Sequence, residues 1–214
     1  MPANLAEWLA HLEALHPSTI DMGLERIAVV RDRLGLQPQF PIITVAGTNG
    51  KGSVCAFLAT ILHAAGYRAG LYTSPHLLRY TERVRVDLEQ ADDAVLCDSF
   101  AAVEAARGDV SLTYFEFGTL AAMHHFMRSN VDVAILEVGL GGRLDAVNVF
   151  EPDCAVVVSV DLDHQDYLGP DRESIGREKA GIFRAGKPAI IGEPNPPASL
   201  LDYVDASATL VVDD

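Results

Sequence analysis

The chain has 214 residues, 49% of them hydrophobic and 21% charged, with a formal net charge of −14 at pH 7. That length and composition suit one large globular domain that buries its core without disulfides or a structural metal. The acidic balance speaks against general nucleic-acid or acidic-membrane binding, so an anionic ligand needs a local positive site built against it.

Leu5, Trp8, Leu9, Leu12 and Leu15 recur on one helical face. A second amphipathic helix is predicted after Asp21, with Leu24, Ile27, Val30 and Leu34 turned inward, and the stretch 38–41 closes this helical preamble. From there, short unbroken apolar runs at 42–46, 69–73, 131–138, 154–160, 188–191 and 210–212 alternate with helical patterns. Runs of this kind suit strands buried on both faces of a parallel sheet. Val54, Phe57, Leu58, Ile61 and Leu62 make a helical stripe after the first run, and further helices are predicted over about 92–106 and 114–127. Residues 83–87 alternate polar and apolar and predict an exposed strand or hairpin arm. The pattern is that of an α/β domain with a doubly wound, mostly parallel sheet and helices on both faces. The chain stops just after an apparent strand, which predicts a single domain, 1–214, incomplete at its C-terminal end.

Cys55, Cys97 and Cys154 are widely spaced, form no Cys-x-x-Cys pair, and read as buried thiols of a reducing compartment. The N-terminus has no basic lead before an apolar run, and no stretch approaches the roughly 20 apolar residues of a membrane helix. The expectation is a soluble, cytoplasmic protein.

The first apolar run leads directly into Gly47-Thr48-Asn49-Gly50-Lys51-Gly52-Ser53, and a helix follows. Glycines let backbone N–H groups turn inward around phosphate oxygens, and a helix N-terminus adds positive potential. Lys51 supplies a mobile charge for the β- and γ-phosphates. The general phosphate-loop template has Gly six residues before the Lys and Ser or Thr directly after it. Here Val45 occupies the first position and Ser53 is displaced by one. The match is imperfect, and its strand–loop–helix setting supports it against the plainer reading of a Gly-rich turn with a solvated lysine.

In open α/β sheets, ligands gather outside the carboxyl ends of the strands. The run 69–73 ends in Ser74-Pro75-His76, the run 131–138 carries Glu137, and the run 154–160 ends in Asp161-Leu162-Asp163-His164. Each has a plain alternative: Ser74 opens a turn, Glu137 sits at an edge, His164 is a satisfied loop histidine. Their joint arrival at the phosphate-loop end favours a shared site. Magnesium prefers oxygen ligands, tolerates an imidazole and bridges few carboxylates to phosphate. A Ser–Glu–His set therefore suits Mg²⁺ with ATP better than calcium or zinc.

At these residues the sequence resembles the dihydrofolate synthase/folylpolyglutamate synthase family, within the Mur-ligase-like group of P-loop NTPase-like folds. The resemblance rests on residues 44–53, on 72–77 and 79–86, on 114–120 and 136–146, and on Asp163-His164 and 177–183. It implies that Thr48, Asn49, Gly50, Lys51, Gly52 and Ser53 hold ATP, and that Ser74, Glu137 and His164 bind two magnesium ions. Lys179 matches the family's carbamylated lysine, and Lys51, Lys179 and His164 are the implied catalytic set. Without the family, Lys179 beside Arg177 and Glu178 reads as a solvated helix lysine. The resemblance places the pteroate-side substrate near Asp21, Met22, Gly23 and Leu24, near Thr113, Tyr114, Phe115 and Glu116, and near Leu144, Asp145 and Ala146. Tyr114, Phe115 and Phe117 offer flat apolar surface for a pterin or aminobenzoyl ring, and at least one of the three is expected in the core.

The implied activity is ATP-dependent addition of L-glutamate to dihydropteroate or to folates through an acyl phosphate, by a monomer with small-molecule partners, no nucleic acid and no membrane. Family members carry a further C-terminal domain, and the chain stops at Asp214. The isolated chain is therefore expected to bind ligands weakly and turn over negligibly. A non-catalytic nucleotide- or folate-binding fragment, a P-loop ATPase and a Mur-type amino-acid ligase domain remain open.

Overall fold

The unbroken apolar runs become the central strands of one sheet. In the computed structural model, which describes residues 2–18, 20–203 and 209–211, these are β1 (Ile42–Ala46), β2 (Ala69–Tyr72), β3 (Val84–Val86), β4 (Glu89–Gln90), β5 (Val133–Glu137), β6 (Cys154–Val157), β7 (Ala189–Ile191) and β8 (Thr209–Val211). Their spatial order is β4-β3-β2-β5-β1-β6-β7-β8. The strands from β2 to β8 in that order pair in parallel, while β3 and β4 add an antiparallel hairpin at one side. The doubly wound, mostly parallel expectation holds. Val212, the last residue of the expected final strand, lies outside the described residues.

The helices are α1 (Leu5–Ala14), α2 (Glu25–Leu34), α3 (Lys51–Ala64), α4 (Asp93–Arg107), α5 (Tyr114–Arg128), α6 (Gln165–Leu168), α7 (Arg172–Ala180) and α8 (Ala198–Leu201). Their starts are chemically marked. Asn4 caps α1 by accepting the Glu7 N–H at 3.0 Å, and reciprocal capping boxes open α5 (Thr113 with Glu116) and α7 (Asp171 with Ser174). Trp8, Phe100, Phe117 and Phe126 anchor the larger core, where α1, α2, α4 and α5 gather on one sheet face.

The other face is thinner, and it corrects the stripe expected on α3. That helix meets the sheet through buried Cys55 and Ala59, flanked by Val54, Leu58 and Leu62. Phe57 is 70% and Ile61 63% exposed. They lie about 100° round the helix from Leu58 and Leu62, so an apolar stripe wider than the contact leaves one edge in water.

Three further expectations shift. Residues 83–87 do supply a hairpin arm, β3 paired antiparallel with β4, but not an exposed one: Val84 and Val86 are buried, and the edge is β4, reached through a tight turn at Asp87 and Leu88 with φ of 56° and 70°. All three cysteines are free, but only Cys55 is buried. Strand β6 stops at Val157, level with Ala46 and Ile191 where the neighbouring ladders end, so 158–164 is a connecting segment. Among the described residues, no helix is long and apolar enough to cross a membrane.

Strand β1 lies between β5 and β6. The chain leaves it for β2 on one side and later returns to β6 on the other, which makes the carboxyl end of β1 a topological switch point.

Candidate active site

The glycine-rich loop sits at that switch point. Gly50 takes the left-handed conformation, φ 81°, as the N-cap of α3, and a Cβ there would meet Val158 Cγ1 at 3.1 Å. Any other residue would be strained and crowded. Lys51 Nζ donates to the Gly47 carbonyl at 2.9 Å and to that of Thr48 at 3.4 Å, so its charge lies over the loop. The Val54 N–H bonds the Gly50 carbonyl at 3.0 Å. The N–H groups of Lys51, Gly52 and Ser53 therefore precede the first in-helix bond and point toward an incoming anion.

Glu137 ends β5 beside this loop and is buried. Burial raises its carboxyl above the usual range, opposed by the Ser74 N–H, which donates to Oε2 at 3.1 Å, and by the charge of Lys51. A Cβ on Gly52 would come within 3.7 Å of this carboxylate, so α3 meets Glu137 through its one side-chain-free position. Ser74 and Glu137 are thus brought together as expected. His164 opens α6 at φ 47°, half exposed, with its ring 3.7 Å from Asp163. Among the described residues, no three His, Cys, Asp or Glu side chains converge on one point.

Lys179 overturns the solvated reading. It is 3% exposed on α7, and burial, with Lys51 nearby, pulls its ammonium down to about 8, while Asp163 acts against the shift. The loop after β5 presses on this helix. The Arg143 N–H donates to the Glu178 carbonyl at 2.8 Å, the Arg143 guanidinium pairs with the Glu178 carboxylate, and a Cβ on Gly142 would stand 2.7 Å from the Glu178 carbonyl.

Beside the loop opens an apolar cleft of about 250 Å³. Met22, Gly23, Leu144 and Ala146 form apolar wall, and Phe115 stacks on Tyr72 with centroids 5.7 Å apart. Asp145 lies in the wall, fully buried, accepting N–H groups from Leu140 at 2.8 Å and Val147 at 3.0 Å. Burial pushes it up to about 6 against those bonds. Glu116 takes the Thr113 N–H at 2.7 Å and an Arg26 N–H at 3.2 Å, and Arg26 in turn pairs with Asp21 at 2.8 Å. One polar chain thus rims an apolar slot, the pattern of a small-molecule pocket.

Of the residues expected on the substrate side, Asp21, Met22, Gly23, Thr113, Phe115, Glu116, Leu144, Asp145 and Ala146 line this cleft. Leu24 and Tyr114 do not. Leu24 is the N-cap of α2 and packs on the core. Tyr114 turns to a neighbouring groove, where the Arg83 guanidinium sits 5.5 Å from its ring centroid and also bonds His76 Nδ1 at 2.8 Å. Phe117 is the expected core member. Ile20, Gly139 and Leu140 line the cleft without having been singled out, and His164, expected as a metal ligand, lines it too. Gly139 and Leu140 lie two and three residues beyond the end of β5, within the stretch 136–146 that carries the resemblance.

The Mur ligase middle domain model matches residues 45–201. The dihydrofolate synthase/folylpolyglutamate synthase of Escherichia coli (strain K12) is 59% identical over 208 residues, covering 97% of this chain and 49% of that protein. A structure of E. coli FolC in complex with DHPP and ADP superposes with a TM-score of 0.95 at 57% identity, over 99% of this chain and 52% of that one. A bifunctional folylpolyglutamate synthase/dihydrofolate synthase with Mn, AMPPNP and L-glutamate bound gives a TM-score of 0.90 at 55% identity, over 99% of this chain and 52% of that one. The chain spans about half the length of the curated relatives it matches.

Proposed function

We propose, because this chain belongs to the Mur ligase middle domain family on its dihydrofolate synthase/folylpolyglutamate synthase branch, that it is the nucleotide-binding half of an ATP-dependent ligase. The ligase adds L-glutamate to dihydropteroate and to folates. The observation that carries this reading is the adjacency of two sites: a phosphate loop with three open N–H groups and Lys51, and an apolar cleft whose buried Asp145 feels the charge of that lysine. A flat bicyclic substrate in the cleft presents its carboxylate toward the loop, where the γ-phosphoryl of ATP is transferred to it. The acyl phosphate then takes the amine of glutamate and releases phosphate. Lys51 and the α3 N-terminus stabilise the charge on the transferred group, and the cleft supplies positioning.

Ser74 and Glu137 suit a divalent cation, because Glu137 is a buried carboxylate with one N–H partner and a raised pKa, and a cation supplies the missing compensation. Ser74, Glu137 and His164 are the residues that would hold Mg²⁺, which neutralises phosphate charge when bound. Two ions fit the charge of a triphosphate. Lys179 is suited to carbamylation. At a pKa of about 8 roughly a fifth of its amine is neutral at pH 7.4, against about a thousandth for an ordinary lysine. The unprotonated nitrogen attacks CO₂, loses a proton and becomes an anion.

The test is glutamate addition to dihydropteroate and to tetrahydrofolate, measured for this chain and for a chain extended to the length of its relatives. Product from the extended chain with near-zero product from the 214-residue chain is the expected outcome. ATP hydrolysis by the extended chain that needs neither pteroate nor glutamate would point instead to an ATPase.

A further inference from the structure

The phosphate loop is tied to the segment after β6 by a dense set of bonds that none of the roles above uses. The Thr48 N–H donates to the Ser159 carbonyl at 2.9 Å. The Thr48 hydroxyl accepts the Asp161 N–H at 2.9 Å and lies 3.1 Å from the Asp161 carbonyl, to which it donates. The Ser159 hydroxyl accepts the Asn49 N–H at 2.9 Å and donates to the Asn49 carbonyl at 3.0 Å. Both polar groups of the Asn49 main chain are therefore held by one side chain. The peptides on either side of Asn49 are fixed in orientation just before Gly50 makes its left-handed turn into α3.

The holder is itself held. Glu193, 8% exposed, accepts the Val160 N–H at 2.8 Å, and Arg172 donates to the Val160 carbonyl at 2.9 Å. Arg172 and Glu193 pair with each other at 3.1 Å. The segment 159–161 thus lies between the loop it grips and an ion pair whose carboxylate is buried and whose guanidinium is half-buried. A binding loop whose donors are already oriented loses less conformational freedom when its ligand arrives, and so binds more tightly.

We propose that Ser159 is a positioning residue for nucleotide binding: its hydroxyl presets the phosphate loop through Asn49, with Glu193 and Arg172 keeping the segment after β6 in place. This inference rests on the nucleotide-binding reading given above. The Ser159 hydroxyl is engaged by the Asn49 main chain, so it acts through the direction of the N–H groups at the start of α3.

The test is titration with ADP and Mg²⁺ by calorimetry of the chain extended to the length of its relatives, using the parent, Ser159→Ala, Ser159→Thr and Lys51→Ala, with Tm recorded for each. Ser159→Ala is expected to weaken ADP about tenfold, and Ser159→Thr, which keeps the hydroxyl, to remain within about twofold of the parent. Amide exchange at Asn49, whose N–H the hydroxyl accepts, should quicken in Ser159→Ala and not in Ser159→Thr. A purely structural serine would lower Tm and leave ADP affinity alone, and that result overturns the proposal. So does equal weakening by Ala and Thr. Glu193→Gln keeps the acceptor but weakens the pair with Arg172; an intermediate loss of affinity supports the relay, and an unchanged affinity removes Glu193 from it. Lys51→Ala separates the two levels. If it binds ADP as the parent does, or the parent binds none, the nucleotide reading itself fails; if it loses ADP while Ser159→Ala does not, only the present inference fails.

Discussion

Asp145 permits a quantitative test of how the cleft is built. Its carboxylate is buried, and its pKa is pushed up to about 6 from an ordinary 3.8, with burial outweighing the N–H groups it accepts. The folded chain therefore binds this proton more tightly than the unfolded chain. The stability that protonation brings is complete below about 3.8 and lost as pH rises through about 6. Between pH 7 and pH 5 the shift is worth a gain of about 1.3 kcal/mol in unfolding free energy, out of a ceiling of about 3 kcal/mol. The perturbation is Asp145→Asn, which keeps shape and one acceptor but has no proton to take up. Urea unfolding of parent and variant at pH 7 and pH 5 gives the two slopes. The variant carries a constant offset from its imperfect amide, whereas the other carboxylates titrate alike in both proteins and cancel. The difference between parent and variant should move by about 1.3 kcal/mol in the parent's favour on acidification. An identical pH slope for the two would refute the argument that this carboxyl is held desolvated in the wall.

Two further outcomes follow from the same geometry. Gly142→Ala places a Cβ 2.7 Å from the Glu178 carbonyl and 3.1 Å from Lys179 Cα. Backbone must move, at a cost of about 1–3 kcal/mol and a Tm lower by roughly 2–12 °C, while Gly66→Ala, with open space around it, should pay only the strain of its φ of 87°. Lys179, with its ammonium at about 8, should take up ¹³C-labelled CO₂ as a carbamate, increasingly from pH 7 to pH 9 at fixed CO₂ pressure; absence of label in the parent, or equal label in Lys179→Arg, removes the carbamate assignment.

The parallel core of the sheet was legible because strands buried on both faces are nearly all apolar, and β1, β2, β5 and β6 are, Thr44 and the terminal Glu137 apart. Strand β4 was not, since Glu89 and Gln90 carry no apolar signal and pair only because the turn at Asp87 and Leu88 delivers them. On α3 the sequence displays a broad apolar stripe without saying where the sheet will lie, and Phe57 fell outside the contact. The same limit separates Phe115 from Tyr114: adjacent on one helix, Phe115 reaches both the cleft and the neighbouring groove while Tyr114 lines only the groove, and periodicity does not choose between them. Lys179 misled in the opposite sense. Its neighbours Arg177 and Glu178 suggest a wet helix, and only the Gly142 loop packed against α7 makes that position dry. Ser159 lay inside the run 154–160 expected as a strand, and only its two bonds to Asn49, beyond the true strand end at Val157, mark it.

The exposed edge of α3 bears on how the isolated chain behaves in solution. Copies carrying a charge of −14 repel one another at low ionic strength, and that repulsion keeps Phe57 and Ile61 of one molecule away from those of the next. At about 0.15 M salt the screening length is only about 8 Å, and the repulsion no longer reaches past the side chains. Salt screens the local attraction of an anion to Lys51 and the long-range repulsion of that anion by the net charge alike. The chain is therefore expected to stay monodisperse in dilute buffer and to associate through the exposed edge of α3 as salt is raised.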